Sequence, residues 1–213
     1  MAPNPFDIIT EADARVLPHG STVRLARNGH VTPLAADTLR ARRITVVRDD
    51  GVPSGDIAAL APPADIRRLV VGSDHTGVAL KQQIVQRCRG RGLAVVEVGA
   101  SDRTPIDYPD VAAAVAQPVA RGEAEAGIVI DGAGLGSAMA ANKVRGIRAA
   151  TCLTPTLARY ARQHTGANVL ALGATLLTPD EAWIVVETFL TTPMTEARYI
   201  ARLAKVHRLE QHG

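Results

Sequence analysis

Ile128-Val-Ile-Asp-Gly-Ala-Gly-Leu-Gly-Ser-Ala-Met-Ala-Ala-Asn142 runs from a continuous apolar segment, through a carboxylate and three alternate glycines, into an Ala-rich helix-forming stretch. A short apolar run bounded by turn formers reads as a strand buried on both faces. Asp131 then stands at the strand exit. Gly132, Gly134 and Gly136 turn the backbone into a helix N-terminus, where unpaired N–H groups favour anions. The spacing Gly-x-Gly-x-Gly is not the dinucleotide pattern Gly-x-Gly-x-x-Gly, and no P-loop pattern is present, so a nucleotide-binding regulator is disfavoured.

Outward from this unit the chain alternates strand and helix. Residues 69–72, 94–98, 127–130, 147–151 and 169–172 are short apolar runs suited to strands. Residues 78–89, 109–121, 135–143, 155–164 and 179–190 read as helices, with a polar C-terminal helix from about residue 195. The expected fold is α/β, a doubly wound five-stranded parallel sheet of Rossmann-like type. In the common strand order 2-1-3-4-5, ligands bind beyond the carboxyl ends of the first and third strands. The first strand ends in Ser73-Asp74-His75 and the third in Asp131-Gly132. The fourth βα unit adds His164, after a helix that packs close by or faces a neighbouring subunit. Converging there, two carboxylates, two histidines and a glycine-rich cradle make a kit for acid–base chemistry on a small anionic or carbonyl compound.

Each residue also has a structural reading. Asp74 suits an N-cap for a helix beginning near Gly77. His164 suits a helix C-terminus, where the dipole favours it. Arg198 and Arg202, one turn apart, suit a solvated face. Composition narrows the field further. At 213 residues and 46% hydrophobic content the chain can bury a full core, and with 3% aromatics that core is Ala, Val, Leu and Ile. A net charge of +3 with dispersed arginines argues against nucleic acid. No apolar stretch is long enough to span a membrane, and the N-terminus lacks the order of a secretory signal, so a cytoplasmic location is expected. Cys88 and Cys152 lack metal-ligand spacing and read as reduced, partly buried thiols.

Val71-Gly-Ser-Asp-His-Thr-Gly-Val-Ala-Leu-Lys81, Asp107-Tyr-Pro-Asp110, the Gly132 to Gly136 loop, Ala140-Ala-Asn-Lys-Val-Arg-Gly-Ile-Arg148 and Asn168-Val-Leu-Ala-Leu-Gly173 resemble the type B ribose-5-phosphate isomerase and galactose-6-phosphate isomerase family. The resemblance covers about residues 67–208. It implies a homodimer or tetramer with sites shared between subunits, no metal or other cofactor, and aldose–ketose isomerisation of a small phosphorylated sugar through an enediolate. By this similarity Asp74 and His164 open the sugar ring, Asp131 moves the proton, and the amides of Gly132, Gly134 and Gly136 hold the developing oxyanion. His75, Arg198 and Arg202 contact the phosphate, with Tyr108 and Thr165 lining the substrate site. The chain departs from the family pattern at several positions. Asp131 stands where many members carry a cysteine base, Ala133 replaces a threonine or serine, Thr165 an asparagine, and Thr175 a phosphate-binding arginine. These changes put ribose 5-phosphate itself in question. They also leave a non-catalytic sugar-phosphate binding or scaffold protein as the alternative.

Residues 49–66, rich in Asp, Gly and Pro, read as a linker between an isomerase domain at 67–213 and a small N-terminal α+β module at 1–48. The module shows a capped helix after Ile9-Thr-Glu-Ala-Asp13, a strand at 22–25, a second helix at 33–40 and a strand at 44–47. It resembles a module found on enzymes of bacterial microcompartments. That likeness implies shell or cargo partners and a location inside such a compartment; the alternative is a stabilising extension.

Overall fold

The computed structural model describes residues 5–48 and 60–212, and the chain divides into two compact units, residues 1–55 and 56–213. The linker expected at 49–66 lies outside the described residues as far as position 59.

The first unit is β1 (Phe6–Ile9), α1 (Glu11–Val16), β2 (Thr22–Val31), α2 (Pro33–Ala41) and β3 (Thr45–Arg48). Its strands are parallel in the order β1-β2-β3. It is therefore an alternating βαβαβ unit rather than the α+β module expected. The four-residue β1 is too short to show a period, and β2 continues through polar residues that carry no apolar signal. Thr10 and Asp13 form a capping box at α1, while Thr32 caps α2 with Pro33 in its first turn. Ile9, Val23, Leu25, Ala35, Leu39 and Ile44 form its core.

The second unit is β4 (Arg68–Ser73), α3 (Val78–Gly90), β5 (Ala94–Gly99), α4 (Tyr108–Ala120), β6 (Ala126–Asp131), α5 (Leu135–Ala141), β7 (Ala149–Thr151), α6 (Pro155–Thr165), β8 (Val169–Gly173), α7 (Pro179–Thr191) and α8 (Ala197–His212). The five strands are parallel. Alternation within the strands assigns the faces. Leu69, Val71, Ile128, Ile130, Leu170 and Leu172 share a core with α3, α6 and α7, while Val70, Val129, Val169 and Ala171 pack with α4 and α5.

The sheet order is β5-β4-β6-β8-β7, so the last two strands are exchanged relative to the expected 2-1-3-4-5. Burial explains the exchange. Every residue of β8 is buried, whereas β7 has three residues, each partly exposed, and takes the edge. The switch between the first and third strands of this sheet, β4 and β6, is unaffected.

Residues 60–66 do not behave as a free linker. Ile66 joins the core, and the Pro63 carbonyl accepts a hydrogen bond from Arg162 Nη2 at 2.8 Å. The fully buried Arg162 guanidinium also donates to the carbonyls of Ala167 and Thr192, and its face lies over the Phe189 ring. Burial, reinforced by repulsion from Arg148, pushes its pKa down to about 10, so it remains charged near neutrality. Among the described residues, no helix is long and apolar enough to cross a membrane.

Candidate active site

At the carboxyl edge of the sheet, β4 and β6 deliver their last residues side by side, Ser73 pairing with Ile130. Asp74 is buried, and its Oδ1 accepts hydrogen bonds from Thr76 N (2.8 Å), Thr76 Oγ (2.6 Å) and Gly77 N (3.2 Å). This side chain shapes the turn into α3 but is not its N-cap, which is Gly77 and carries no side-chain cap, because the helix begins only at Val78. Its other oxygen takes no hydrogen bond from the described residues. His75 Nδ1 accepts from Ile106 N at 3.5 Å, tying the imidazole to the loop that leads to Tyr108 at the start of α4.

Asp131 is only 5% exposed. Its Oδ1 accepts from Ala133 N at 2.8 Å and from Gly134 N, and its Oδ2 accepts from Ser137 N at 2.9 Å. Burial pushes this carboxyl upward, but hydrogen bonds from Ser137, Gly134 and Ala133 outweigh it and hold the pKa below its ordinary value. The Ser137 hydroxyl is buried without a partner of hydrogen-bonding geometry, so the three amides carry the effect. The carboxylate thus fills part of the cradle that the glycine turn was expected to offer a substrate. The amides of Gly132, Leu135 and Gly136 make no hydrogen bond among the described residues.

The turn itself is pinned from outside. Thr151 Oγ donates to the Gly134 carbonyl at 2.7 Å, and Thr175 donates to the Gly132 carbonyl through both N (3.0 Å) and Oγ (2.6 Å). Gly134 has φ +76°, and a Cβ there would stand 2.9 Å from the Leu172 carbonyl carbon. At Gly136 a Cβ would stand 2.7 Å from the Tyr108 ring, which lies against this glycine.

His164, Thr165, Arg198 and Arg202 do not join this cluster within the chain, so of the two placements expected for His164, close by or facing a neighbouring subunit, the first does not hold. Helix α6 starts beyond the carboxyl end of β7 and returns antiparallel to the strands, so His164 in its last turn lies at the amino edge. Its 11 residues span about 16 Å at the usual rise. Thr165 Oγ is spent on the Ala161 carbonyl at 2.6 Å. His164 stacks on Tyr160 and lies against Tyr199 of α8, whose ring Arg198 and Arg202 both approach. A groove of about 710 Å³ beside them is lined by His164, Thr165, Arg202, Arg148, His207 and Asn142, among others. That is a small-molecule volume.

Residues 69–206 match the ribose/galactose isomerase family. The chain belongs to that family. Membership makes it an isomerase. Ribose-5-phosphate isomerase B of Escherichia coli K12 is 37% identical over 146 residues, covering 68% of this chain and 98% of that protein. The solved Clostridium thermocellum ribose-5-phosphate isomerase B is similar at 41% identity and a TM-score of 0.67, covering 68% of this chain and 98% of the other. A Mycoplasma genitalium ribose-5-phosphate isomerase B solved with bound ribulose 5-phosphate gives 36% identity and a TM-score of 0.66, over 68% and 97%. All three relatives leave about a third of this chain uncovered.

Several residues of these two clusters escape a reading of the sequence. Thr151 has no motif of its own and reaches the glycine turn only because β7 lies beside β8. Tyr160 had a usable signal, since it stands four residues before His164 on one helix face. Tyr199, between the two arginines, is brought to His164 by the packing of α8 on α6.

Proposed function

We propose that this isomerase interconverts the aldose and ketose forms of a small phosphorylated sugar of the ribose 5-phosphate kind. The observation that carries the reading is the pairing of β4 with β6 at the switch point, whose ends carry the Asp74 and Asp131 carboxylates and lead into the glycine turn with the unused amides of Gly132, Leu135 and Gly136. Asp74 and a histidine open the sugar ring. Asp131 then takes the proton from C2 of the open aldose, the electron pair moves onto the carbonyl oxygen, and the free amides hold the resulting enediolate. Return of the proton to C1 and transfer of the O2 proton to O1 give the ketose. A carboxylate offers about four acceptor positions. Three are filled in Asp131, which leaves one on Oδ2 for the substrate proton.

His164, Arg198 and Arg202 serve the carboxylate cluster of a second copy of the chain. Their place at the opposite edge supports a homodimer or tetramer in which ring opening and phosphate binding come from the neighbour. A second reading, a sugar-phosphate binding protein without turnover, draws support from the amide bonds that weaken Asp131 as a base. The same assay separates the two. Four- to six-carbon aldose and ketose phosphates are incubated in deuterated water, and deuterium at C1 or C2 is followed by NMR. Incorporation with wild type, reduced at least about 100-fold in Asp131→Asn, is the expected result for loss of a positioned base. No exchange with any sugar phosphate would favour the binding protein, and near-normal exchange in Asp131→Asn would transfer the role to Asp74. For residues 1–48 we propose a cargo module that attaches the isomerase to microcompartment shell or cargo proteins.

A further inference from the structure

We infer that Tyr199 is a positioning residue that holds His164, Arg198 and Arg202 in one fixed arrangement, with Tyr160 closing the far side of the imidazole. The chain has three tyrosines, and two of them flank this one histidine. The Tyr160 and His164 ring centroids are 4.5 Å apart with planes at 16°, and those of His164 and Tyr199 are 4.2 Å apart at 31°. Arg198 Cζ lies 4.7 Å and Arg202 Cζ 5.6 Å from the Tyr199 ring centroid, and Arg198 Nη2 donates to the Tyr199 hydroxyl at 3.1 Å. Tyr199 is thus the common neighbour of all three residues. It also links α6 to α8 at this point.

The chemistry gives this arrangement a purpose. A histidine oriented by a hydrogen bond gives up one ring nitrogen to its partner. Stacking fixes the plane of the ring and consumes neither nitrogen, so both stay available in that plane for proton exchange. Neither nitrogen of His164 makes a hydrogen bond among the described residues. Arg198 and Arg202 are exposed, and an unrestrained guanidinium chain loses much rotamer freedom when it closes on an anion. Contact with one aromatic face removes part of that freedom beforehand. The inference rests on the reading that these three residues serve a phosphorylated sugar.

The test uses the full chain with ribose 5-phosphate and inorganic phosphate as probes, and the variants Tyr199→Phe, Tyr199→Leu and Tyr160→Leu. In wild type, the His164 ring protons should be displaced upfield by the two flanking rings, and Tyr199→Leu should move them toward free imidazole. Tyr199→Leu should raise KM, and the phosphate dissociation constant, about tenfold, while Tyr199→Phe, which keeps the ring, stays within about threefold of wild type. Tyr160→Leu, which touches neither arginine, should lower kcat and leave KM unchanged. Loss of the ring-proton displacement in Tyr199→Leu with unchanged KM and kcat would overturn the inference, as would equal losses in the Phe and Leu variants. If wild type turns over no sugar phosphate, the functional reading fails by itself. The positioning role is then decided by the ring-proton displacements and phosphate titration, with wild-type values in Tyr199→Leu counting against it.

Discussion

Asp131 carries two tasks that compete. As the proposed base it needs an accessible lone pair, and as a cap for the glycine turn it spends three acceptor positions on backbone amides. The second task has a pH signature. Folding holds its pKa below the unfolded value of about 3.9, so the cap stabilises the fold fully above that value and the contribution disappears as pH falls through the folded pKa. Urea unfolding of wild type and Asp131→Asn should therefore differ by a constant amount from pH 7 to about 5 and converge below about pH 4. A gap that widens on acidification would contradict this. The low pKa also keeps Asp131 ionised at neutral pH, the charge state a proton acceptor needs. Arg198 and Arg202 make a separate prediction. Replacing either by Ala should raise KM for a phosphorylated sugar at a cost of about 1.5–3 kcal/mol, and equal kinetics would return both to a solvated face.

The glycine turn between β6 and α5 behaves as one element, braced by Thr151, Thr175 and Asp131, and its glycines should differ in tolerance. Gly134→Ala meets backbone at 2.9 Å and adopts φ +76°, a conformation that costs an L-residue about 1–2 kcal/mol before any clash. Gly136→Ala meets the ring of Tyr108, a half-exposed side chain that can swing away. Gly134→Ala should thus be the more destabilising in urea unfolding, while Gly136→Ala should affect chiefly substrate KM through the displaced tyrosine. The reverse order would mean that the ring is the more rigid neighbour. Helix α6 has a comparable tie at Arg162. Arg162→Met would strand three carbonyls, at about 1–3 kcal/mol for each left buried. A melting temperature within a degree of wild type would show that water replaces the guanidinium.

Each unit of the chain has its own sheet and core, which predicts that they separate cleanly. Deleting residues 1–55 should leave a soluble oligomer with kcat and KM within a few-fold of the full chain. Deleting residues 1–66 removes the Pro63 carbonyl that Arg162 binds and the buried Ile66, and should lower thermal stability. Failure of the shorter deletion to fold would favour a stabilising extension over a cargo module. A fusion of residues 1–50 to an unrelated soluble protein should co-purify with shell or cargo proteins if the module is an address.

The sequence by itself determined most of the second unit, because its strands are apolar runs whose burial on both faces needs no partner to be recognised. It also located Asp74, Asp131 and the glycine turn, since strand exits and turns are local features written in consecutive residues. The edge position of β7 was harder to read. Its three residues resemble a buried run until compared with the fully buried β8, and only sheet packing ranks the two. Strand β1 was invisible for want of length. For His164 the sequence left two placements open, close to the carboxylates or facing a neighbouring subunit, and the tertiary structure removed the first, because the return path of α6 carries it and the arginines beside it to the opposite edge. The tertiary structure alone showed the Asp131 carboxylate bound to the amides that follow it, and Tyr199 joining α8 to α6. Charge, hydrogen-bonding capacity and period are properties of residues in sequence; which groups they are spent on is settled only when the chain closes on itself.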